Sequence, residues 1–183
     1  MYCQLEALRH CLPPSVARIL EELPDTLDET YEQVLQEINK ANQEHACRLL
    51  QCLTVALRPL RVEELAEVLA VDFDVLACQG VPQLNPKWHW ADQHQAILST
   101  CSSLITIVDD GDSKVVQFSH FSVKEYLTSD WLARSSGDFS GYHIILDSAH
   151  TILAQACLGV LVCLDDSVDE GNVGDIPLVY YAV

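Results

Sequence analysis

Apolar residues recur every three to four positions through the first third of the chain, the spacing typical of amphipathic helices. Two prolines at positions 13 and 14 open one such helix, and residues 23–25 (Leu-Pro-Asp) end it. Thr26 and Glu29 then have the spacing of a capping box, in which each side chain bonds the other residue's backbone N–H. The box predicts a second helix, whose inward face would consist of Leu27, Tyr31, Val34, Leu35 and Ile38.

Two more helices are predicted before residue 70. Residues 43–57 have an apolar face, and Arg58-Pro59 ends this helix because the α conformation is disfavoured just before a proline. Residues 62–69 form a shorter amphipathic segment. The residues predicted to point inward on the longer helix are Ala46, Leu49, Leu50, Leu53 and Leu57.

The periodicity changes in the middle of the chain. Residues 72–92 contain one Gly and two Pro and predict a long loop, with short elements possible within it, whereas residues 93–101 predict a helix. Residues 103–108 and 114–118 are rich in β-forming residues and flank the sequence Asp-Asp-Gly-Asp-Ser. This pattern predicts a β-hairpin.

The last third returns to helical patterns. Ser122 and Glu125 form a second capping box, which predicts that Ser122 caps a helix reaching residue 127. Residues 142–146 predict a short strand. Asp147 is then expected to cap a long apolar helix that ends near residue 164.

The apolar run inside this long helix decides between a buried helix and a membrane span. It covers the thirteen residues 152–164, and a span needs about 20 residues, so we predict a buried helix. The acidic residues 165–175 predict an exposed tail, and the apolar pattern of residues 176–183 stops abruptly, as in a fragment of a longer chain.

The order helix, helix, helix, β-hairpin, helix is that of a winged helix. Its three helices would be residues 43–57, 62–69 and 93–101, and its wing residues 103–118. We therefore predict a mostly α fold with a small β-hairpin, of class α+β. The predicted domains are a helical segment (residues 1–42), the winged helix (43–130) and a C-terminal helical linker (131–183).

The charge of the chain makes a nucleic-acid partner unfavourable. There are 27 Asp and Glu against 10 Lys and Arg, a formal net charge of −17. In a DNA-binding winged helix the recognition helix and wing would lie within residues 92–114, which hold four Asp and one Lys. Because phosphate binding needs clustered cations, a DNA-binding winged helix is kept only as the alternative.

The cysteines indicate a reducing compartment. None of the eight is spaced as the C-x-x-C of a zinc or thioredoxin-type site. No signal sequence opens the chain, because Glu6 interrupts the first residues. We expect free thiols and a cytoplasmic protein, with a disulfide-linked secreted domain as the alternative.

The short motifs of common catalytic and nucleotide sites are missing from the sequence. It contains no G-x-x-x-x-G-K-[ST], no G-x-G-x-x-G and no G-x-S-x-G, so no catalytic residue, cofactor or metal site is predicted from the residues. His89 and His94 are five positions apart, which does not align two metal ligands on one helix face. With Trp88 and Trp90 beside them, they are interpreted as surface residues.

His120 lies at the junction between the predicted wing and the helix that follows. The residues alone favour a structural role, with the imidazole hydrogen-bonded to backbone. The functional alternative is that the imidazole donates a hydrogen bond to a phosphate or a carboxylate.

The sequence around His120, Phe118-Ser-His-Phe-Ser-Val-Lys-Glu-Tyr-Leu127, resembles the H-x-S-x-x-E-[YF] stretch that closes the winged helix of NACHT-type (STAND) signal-transduction ATPases. Three further motifs match fungal NACHT proteins, which are NLR-like, in order and spacing: Leu23-Pro-Asp-Thr-Leu-Asp-Glu-Thr-Tyr31, Arg58-Pro-Leu-Arg-Val-Glu-Glu-Leu-Ala66 and Cys101-Ser-Ser-Leu104. Together they resemble the GPI inositol-deacylase-type winged helix that follows a NACHT domain and often precedes ankyrin or WD40 repeats.

This resemblance implies a regulatory module rather than an enzyme. Residues 1–42 would be the end of the NACHT-associated helical region, and residues 131–183 would lead toward the repeats. The ATPase P-loop would lie upstream of Met1. The implied partners are that upstream domain and the downstream repeats of the parent chain, with self-association of the full-length protein, and neither nucleic acid nor membrane.

The resemblance also implies a role for one residue. In related switch ATPases the histidine of the H-x-S stretch contacts the β-phosphate of bound ADP and holds the closed state, and His120 is the matching position. It would act as a phosphate sensor only together with the upstream domain. A hydrolase is the third hypothesis, and only the name of the domain suggests it.

Overall fold

Helices and short strands alternate through the parts of the chain that the computed structural model describes, residues 26–74, 82–135, 139–166 and 176–182. The helices are α1 (Leu27–Glu37), α2 (Gln43–Val55), α3 (Val62–Val68), α4 (Gln93–Cys101), α5 (Phe121–Leu127), α6 (Asp130–Arg134), α7 (Leu146–Asp166) and α8 (Val179–Ala182). The strands are β1 (Leu60–Arg61), β2 (Val71–Asp72), β3 (Gln83–Leu84), β4 (Ile105–Asp110) and β5 (Ser113–Phe118). Single 3-10 turns lie at Lys40–Asn42, Pro86–Trp88, Ser102–Leu104 and Ser140–Tyr142. The helix predicted before residue 23 lies outside the described residues, as does the predicted acidic tail from residue 167 onward.

Helices α2, α3 and α4 and the hairpin β4–β5 form a winged helix. Strand β1, between α2 and α3, pairs antiparallel with β5, which pairs antiparallel with β4, so the sheet order is β1-β5-β4. Val116 in the middle of β5 lies opposite Leu60 on one side and Ile107 on the other. The predicted class, mostly α with a small β-sheet, is confirmed. Strand β1 was not predicted, because two residues are too few to show an alternating pattern.

The predicted hairpin is present, with its first strand shifted by two residues toward the turn and its second strand longer by one residue. Asp110 pairs with Ser113, so the connection is a two-residue turn instead of a five-residue loop. Gly111 in this turn has φ +62°, a conformation that glycine adopts without the steric cost of a side chain. Two-residue turns with positive φ match the twist of the strands they join, which lets the pairing continue to the tip.

The core is built around α2. Leu49 and Leu50 have no exposed surface, and α2 packs against α4 on one side and α7 on another. Helix α1 starts with the predicted capping box, in which Glu29 N–H donates to Thr26 Oγ1 at 3.2 Å. The predicted inward residues of α1 that are buried are Tyr31, Val34, Leu35 and Ile38.

Two leucines predicted to point inward are exposed instead. Leu57 is 94% exposed, because α2 ends at Val55 and Ala56 already has an extended conformation (φ −58°, ψ 130°), so the helical spacing no longer applies. Leu27 is 46% exposed, since it is the first residue of α1 and has no preceding turn of helix to pack with. Leu53 is half-buried at the edge of the core.

The strand predicted for residues 142–146 is also wrong. This region contains the 3-10 turn Ser140–Tyr142 and an extended link, from which Ile144 N–H donates to Leu127 O at 2.8 Å. That bond is made to the end of a helix and not to a neighbouring strand. Helix α7 begins at Leu146, so Asp147 lies in its first turn rather than at the capping position, where its charge still complements the helix dipole.

Helix α7 is buried along one face only. It has 21 residues, more than its central apolar run, and residues 146–163 are long and apolar enough to cross a membrane by length and composition alone. Of that stretch 28% is buried in the protein. Core helices of soluble proteins pass the same test, so the test does not decide between the two. Its buried residues include Ala149, Leu153, Ala156 and Val160, whereas Leu158 and Val162 are exposed.

Gly159 allows α7 to approach the small sheet formed by β2 and β3. A Cβ atom added at Gly159 would lie 2.6 Å from the carbonyl oxygen of Pro82, well inside van der Waals contact. The backbone of the residue before β3 therefore packs directly on the backbone of α7. Any side chain at position 159 would have to push the two elements apart.

We predict that Gly159→Ala destabilises the protein by about 1–3 kcal/mol, the usual cost of overpacking. In an exposed helix the same change stabilises by about 1 kcal/mol, so the sign of the effect reports the contact with Pro82. Gly141→Ala is the control, because its Cβ would lie 3.7 Å from Gln43 Nε2. Thermal melting checks the prediction, and a higher melting temperature for Gly159→Ala would contradict it.

Leu104→Ala is expected to lower the free energy of unfolding by about 2–5 kcal/mol, as for other leucines buried in cores. Leu104 has no exposed surface and lies at the junction between α4 and the wing. Leu57→Ala is the matched control, and its exposed position predicts a change of less than about 0.5 kcal/mol. Urea unfolding of both variants measures the difference, and equal stabilities would disprove this core assignment.

Candidate functional site at the start of α5

The turn between the wing and α5 fixes the position of His120. Strand β5 ends at Phe118, and the backbone N–H and hydroxyl of Ser119 both donate to the carbonyl oxygen of Leu104, at 2.9 and 3.1 Å. His120 follows in an extended conformation (φ −152°, ψ 148°), and α5 begins at the next residue. The junction histidine is thus the residue immediately before a helix.

The imidazole of His120 caps α5. Its Nδ1 accepts a hydrogen bond from the backbone N–H of Ser122 at 3.3 Å, and the Ser122 hydroxyl lies 2.6 Å from the same nitrogen. The first N–H groups of a helix have no partner within the helix, and a side-chain acceptor at the capping position supplies one. The prediction that Ser122 caps this helix is therefore wrong, because the helix starts at Phe121, two residues earlier than that box requires.

The hydrogen bonds around Ser122 assign the tautomer of His120. A backbone N–H can only donate, so Nδ1 must act as an acceptor, and the proton of the neutral imidazole lies on Nε2. The Ser122 hydroxyl then donates to Nδ1, and the Tyr31 hydroxyl, 2.7 Å from Ser122 Oγ, donates to Ser122. Nε2 has no hydrogen-bond partner among the described residues, and His120 is exposed. The cap therefore leaves an N–H donor on the surface.

An exposed aromatic ring accompanies this donor. Phe121 is 70% exposed, and its ring centroid lies 4.3 Å from that of the His120 imidazole. Behind it, the Tyr126 ring contacts Tyr31 at 5.3 Å and Trp131 at 5.9 Å between centroids. Burial, together with the nearby acids of α1, raises the pKa of Tyr126, so this phenol stays neutral. We call the exposed pair His120 and Phe121 the His120 surface.

A lysine ties α5 to the central helix of the core. Lys124 Nζ donates to the carbonyl oxygen of Thr54 at 2.7 Å. The last carbonyl groups of a helix lack partners within it, and a cation is favoured at that end by the helix dipole. A displacement of α5 would therefore alter the contact of Lys124 with the C-terminal end of α2.

The two histidines singled out beside the tryptophans lie apart in sequence from the His120 surface and have different surroundings. His89 is exposed and its Nε2 lies 3.6 Å from Glu67 Oε1, whereas His94 is half-buried and its Nε2 has no hydrogen-bond partner among the described residues. Trp88 and Trp90, beside them in sequence, are about half exposed. Within the part of the chain that is described, no group of three or more His, Cys, Asp or Glu is arranged to hold a metal ion.

Four of the thiols, those of Cys47, Cys52, Cys101 and Cys157, are poor candidates for nucleophiles. They form no disulfide, and burial raises the pKa of Cys47 to about 11 and that of Cys52 to about 12. The same cause raises the pKa of Cys101 and of Cys157. A thiol attacks as its thiolate, and these thiols are protonated at neutral pH. Cys3, Cys11 and Cys78 lie outside the described residues.

A pair of buried carboxylates on α3 was not found by sequence reasoning. Glu64 has no exposed surface and binds the Arg58 guanidinium through both oxygens, at 2.7 and 2.9 Å. Glu67, one turn later, is 3% exposed and accepts the backbone N–H of Leu178 at 2.7 Å. The local pattern treats acids in a helix as surface residues, and no signal in the sequence marks a partner 111 positions away. We call Arg58, Glu64 and Glu67 the acidic cradle.

Three helices followed by a β-hairpin, with β1 paired to β5, make this a winged-helix protein. A family model of the GPI inositol-deacylase winged helix domain matches residues 31–140, which include all three helices of the fold, its wing and His120. The chain belongs to this family.

One relative extends the similarity beyond the winged helix. The chain is 31% identical over 170 residues to the "Azaphilone pigments biosynthesis cluster protein L" of Monascus ruber. The match covers 89% of this chain and 34% of the relative, so the chain spans about a third of that protein. No solved structure matches the chain significantly.

His120→Ala is expected to lower the free energy of unfolding by about 1 kcal/mol, the typical cost of losing an N-cap. His120→Asn should restore most of this loss, because Asn is among the best capping residues and places an acceptor at the same point. Urea unfolding of the chain distinguishes the two. If Ala and Asn destabilise equally, or neither does, the imidazole does not act as the cap.

Proposed function

We propose that this winged helix is a regulatory module of a NACHT-type signal-transduction ATPase, and that it couples the nucleotide state of an upstream P-loop domain to the segments that follow. The observation that carries the proposal is the outward N–H of His120 beside the exposed ring of Phe121. The motif resemblance around His120 and the membership in the family of GPI inositol-deacylase winged helices support it.

The two residues of the His120 surface would have different tasks. A phosphate oxygen is a charged acceptor, and hydrogen bonds to charged groups are roughly twice as strong as neutral ones. The Nε2–H of His120 would donate to the phosphate of ADP, while Phe121 would be buried against the upstream domain. Because Nδ1 of the same ring caps α5, a pull on Nε2 would also move the start of this helix.

Such a contact biases a switch only if it differs between the two states. We propose that ADP engages His120 in the closed state and that ATP, or the empty site, does not. The movement would pass from α5 through Lys124 to the end of α2. The module would act in the cytoplasm as part of a longer chain with downstream repeats, and its relative in Monascus ruber has about two thirds of its length outside the match. We assign no catalytic step to these residues.

The alternative, a DNA-binding winged helix, has little support from the described surface. The exposed side chains of α4 are Gln95, Leu98 and Ser99, none of which is a cation. In the wing, the single cation Lys114 lies 3.6 Å from Asp109. A recognition helix without Lys or Arg beside an acidic wing repels phosphate.

The decisive measurement is ADP affinity in a longer protein that contains the upstream domain. A charge-assisted hydrogen bond is worth about 1.5–3 kcal/mol, so His120→Ala should weaken ADP binding roughly 10- to 150-fold. His120→Asn should weaken it as well, although it keeps the cap, because its amide lacks the reach of Nε2. Calorimetry with ADP and with ATP gives both constants.

Three results would contradict the proposal. Unchanged ADP affinity in both variants would leave His120 as a purely structural joint. Micromolar ADP binding by the 183-residue chain alone would place a nucleotide site within it. Nanomolar binding of duplex DNA at physiological salt would favour the alternative.

A further inference from the structure

The C-terminal segment, residues 176–182, folds back onto the winged helix. Leu178 has no exposed surface, and Val179, the first residue of α8, is 6% exposed. Helix α8 also packs against α7. Ile176 and Tyr181 are partly buried against the same core. The segment is thus held by apolar packing, to which polar contacts are added.

Three polar contacts join this segment to the end of α2 and to the acidic cradle. Leu178 N–H donates to Glu67 Oε2 at 2.7 Å, and Arg58 Nη2 donates to the carbonyl oxygen of Tyr180 at 3.2 Å. Leu57 N–H likewise donates to the segment, to the Tyr181 hydroxyl at 3.0 Å. The Arg58 guanidinium also lies 4.7 Å from the centre of the Tyr181 ring, a favourable cation–π distance.

The two carboxylates of the cradle differ in how their charge is compensated. Glu64 is paired with Arg58 and also accepts Arg61 N–H at 2.8 Å. Glu67 has no such cation. Its Oε1 is buried without a hydrogen bond, and Nε2 of His89, a partly exposed side chain, lies 3.6 Å away. No other cationic group of the described residues lies within 4 Å of Glu67.

Burial decides the protonation of Glu67. Loss of hydration raises the pKa of Glu67 to about 7, although the hydrogen bond from Leu178 acts in the opposite direction. A carboxylic acid with a pKa higher in one state than in another favours that state at low pH. Since Leu178 covers Oε2 directly, release of the segment would hydrate the carboxyl group and return its pKa toward 4.5, its ordinary value.

We propose that Glu67 is a proton-operated latch for the C-terminal segment: the neutral carboxyl group holds residues 176–182 against α3, and the ionised carboxylate releases them. In the neutral form Oε2 accepts Leu178 N–H, and the proton resides on Oε1, toward His89. In the ionised form an uncompensated charge is buried, and the cheapest way to hydrate it is to detach the segment that covers it.

His89 is the neighbouring side chain that faces Glu67 Oε1, with its Nε2 3.6 Å away. A positive charge there would favour the ionised carboxylate in the docked state and so oppose release. The Glu64 charge, one turn away on α3, is neutralised by Arg58 and so adds little. The latch involves only Glu67 and residues 176–182 of this chain, and it does not depend on the proposed coupling to an ATPase.

The test is the hydrogen exchange of backbone amides in residues 176–182 of the 183-residue chain, followed by mass spectrometry. With a docked pKa of about 7 and a released pKa near 4.5, protection of these amides should fall by up to about 30-fold between roughly pH 5.5 and 8, after correction for intrinsic exchange. Amides of α2 should show no comparable fall.

Three variants assign the effect to Glu67. Glu67→Gln keeps the acceptor for Leu178 N–H without a titratable group, so its protection should be as high as at low pH in the parent chain and should not change with pH. Glu63→Gln, the same change on the same helix, should behave like the parent chain. Tyr181→Phe removes the bond to Leu57 N–H and should lower protection equally at both pH values.

Several outcomes would overturn the latch. Equal protection of the segment at both pH values in the parent chain would show that Glu67 does not control docking, with no variant needed. A fall of the same size in Glu67→Gln would assign the effect to another group. Protection as high as that of the core amides of α2 at both pH values would show that the segment does not open locally.

Discussion

The burial of α2 is the constraint on which the rest of the structure depends. Leu49 and Leu50 lose all their surface because α4 and α7 pack against this helix from two sides. A helix enclosed in this way still has carbonyl groups without partners inside the helix at its C-terminal end. The chain satisfies part of this end with Lys124, which donates to Thr54 O. The carbonyl groups at the C-terminal end of α2 therefore need hydrogen-bond donors from other parts of the chain.

Helix α5, which carries the His120 surface, and the C-terminal segment both contact the C-terminal end of α2. Lys124 belongs to α5, whose start is capped by His120, while Leu57 and Arg58, just beyond α2, bind the C-terminal segment. A shift of the last turn of α2 would therefore alter contacts to α5 and to residues 176–182 together. A physical route for coupling between distant sites is an element with two arrangements that both sites bias, and the end of α2 contacts both α5 and residues 176–182.

Local patterns predicted most of the helices, because helical spacing, caps and prolines act over a few residues. Helix α4 has the bounds that were predicted, and Thr26 forms the predicted capping box. The errors occur where local rules compete. His120, and not Ser122, is the capping residue of α5, and Leu57 lies two residues beyond the end of the helix whose spacing predicted its burial. His120 was named from its position and its motif, but its role as the cap and its tautomer follow only from the geometry of its contact with the Ser122 backbone N–H.

The acidic cradle could not be predicted for a related reason. Glu64 and Glu67 look like surface acids of a short amphipathic helix, and their burial depends on Arg58 and on a segment more than a hundred residues later. The two acids also have different physical consequences. An ion pair with two hydrogen bonds offsets much of the desolvation of Glu64, so this carboxylate is a fixed part of the fold. Glu67 Oε2 accepts a single backbone N–H and its Oε1 is buried without a hydrogen bond, so the loss of water is not offset and the pKa of this carboxyl group is raised. The poorly compensated carboxyl group therefore lies under the C-terminal segment, and local opening of that segment would restore its hydration.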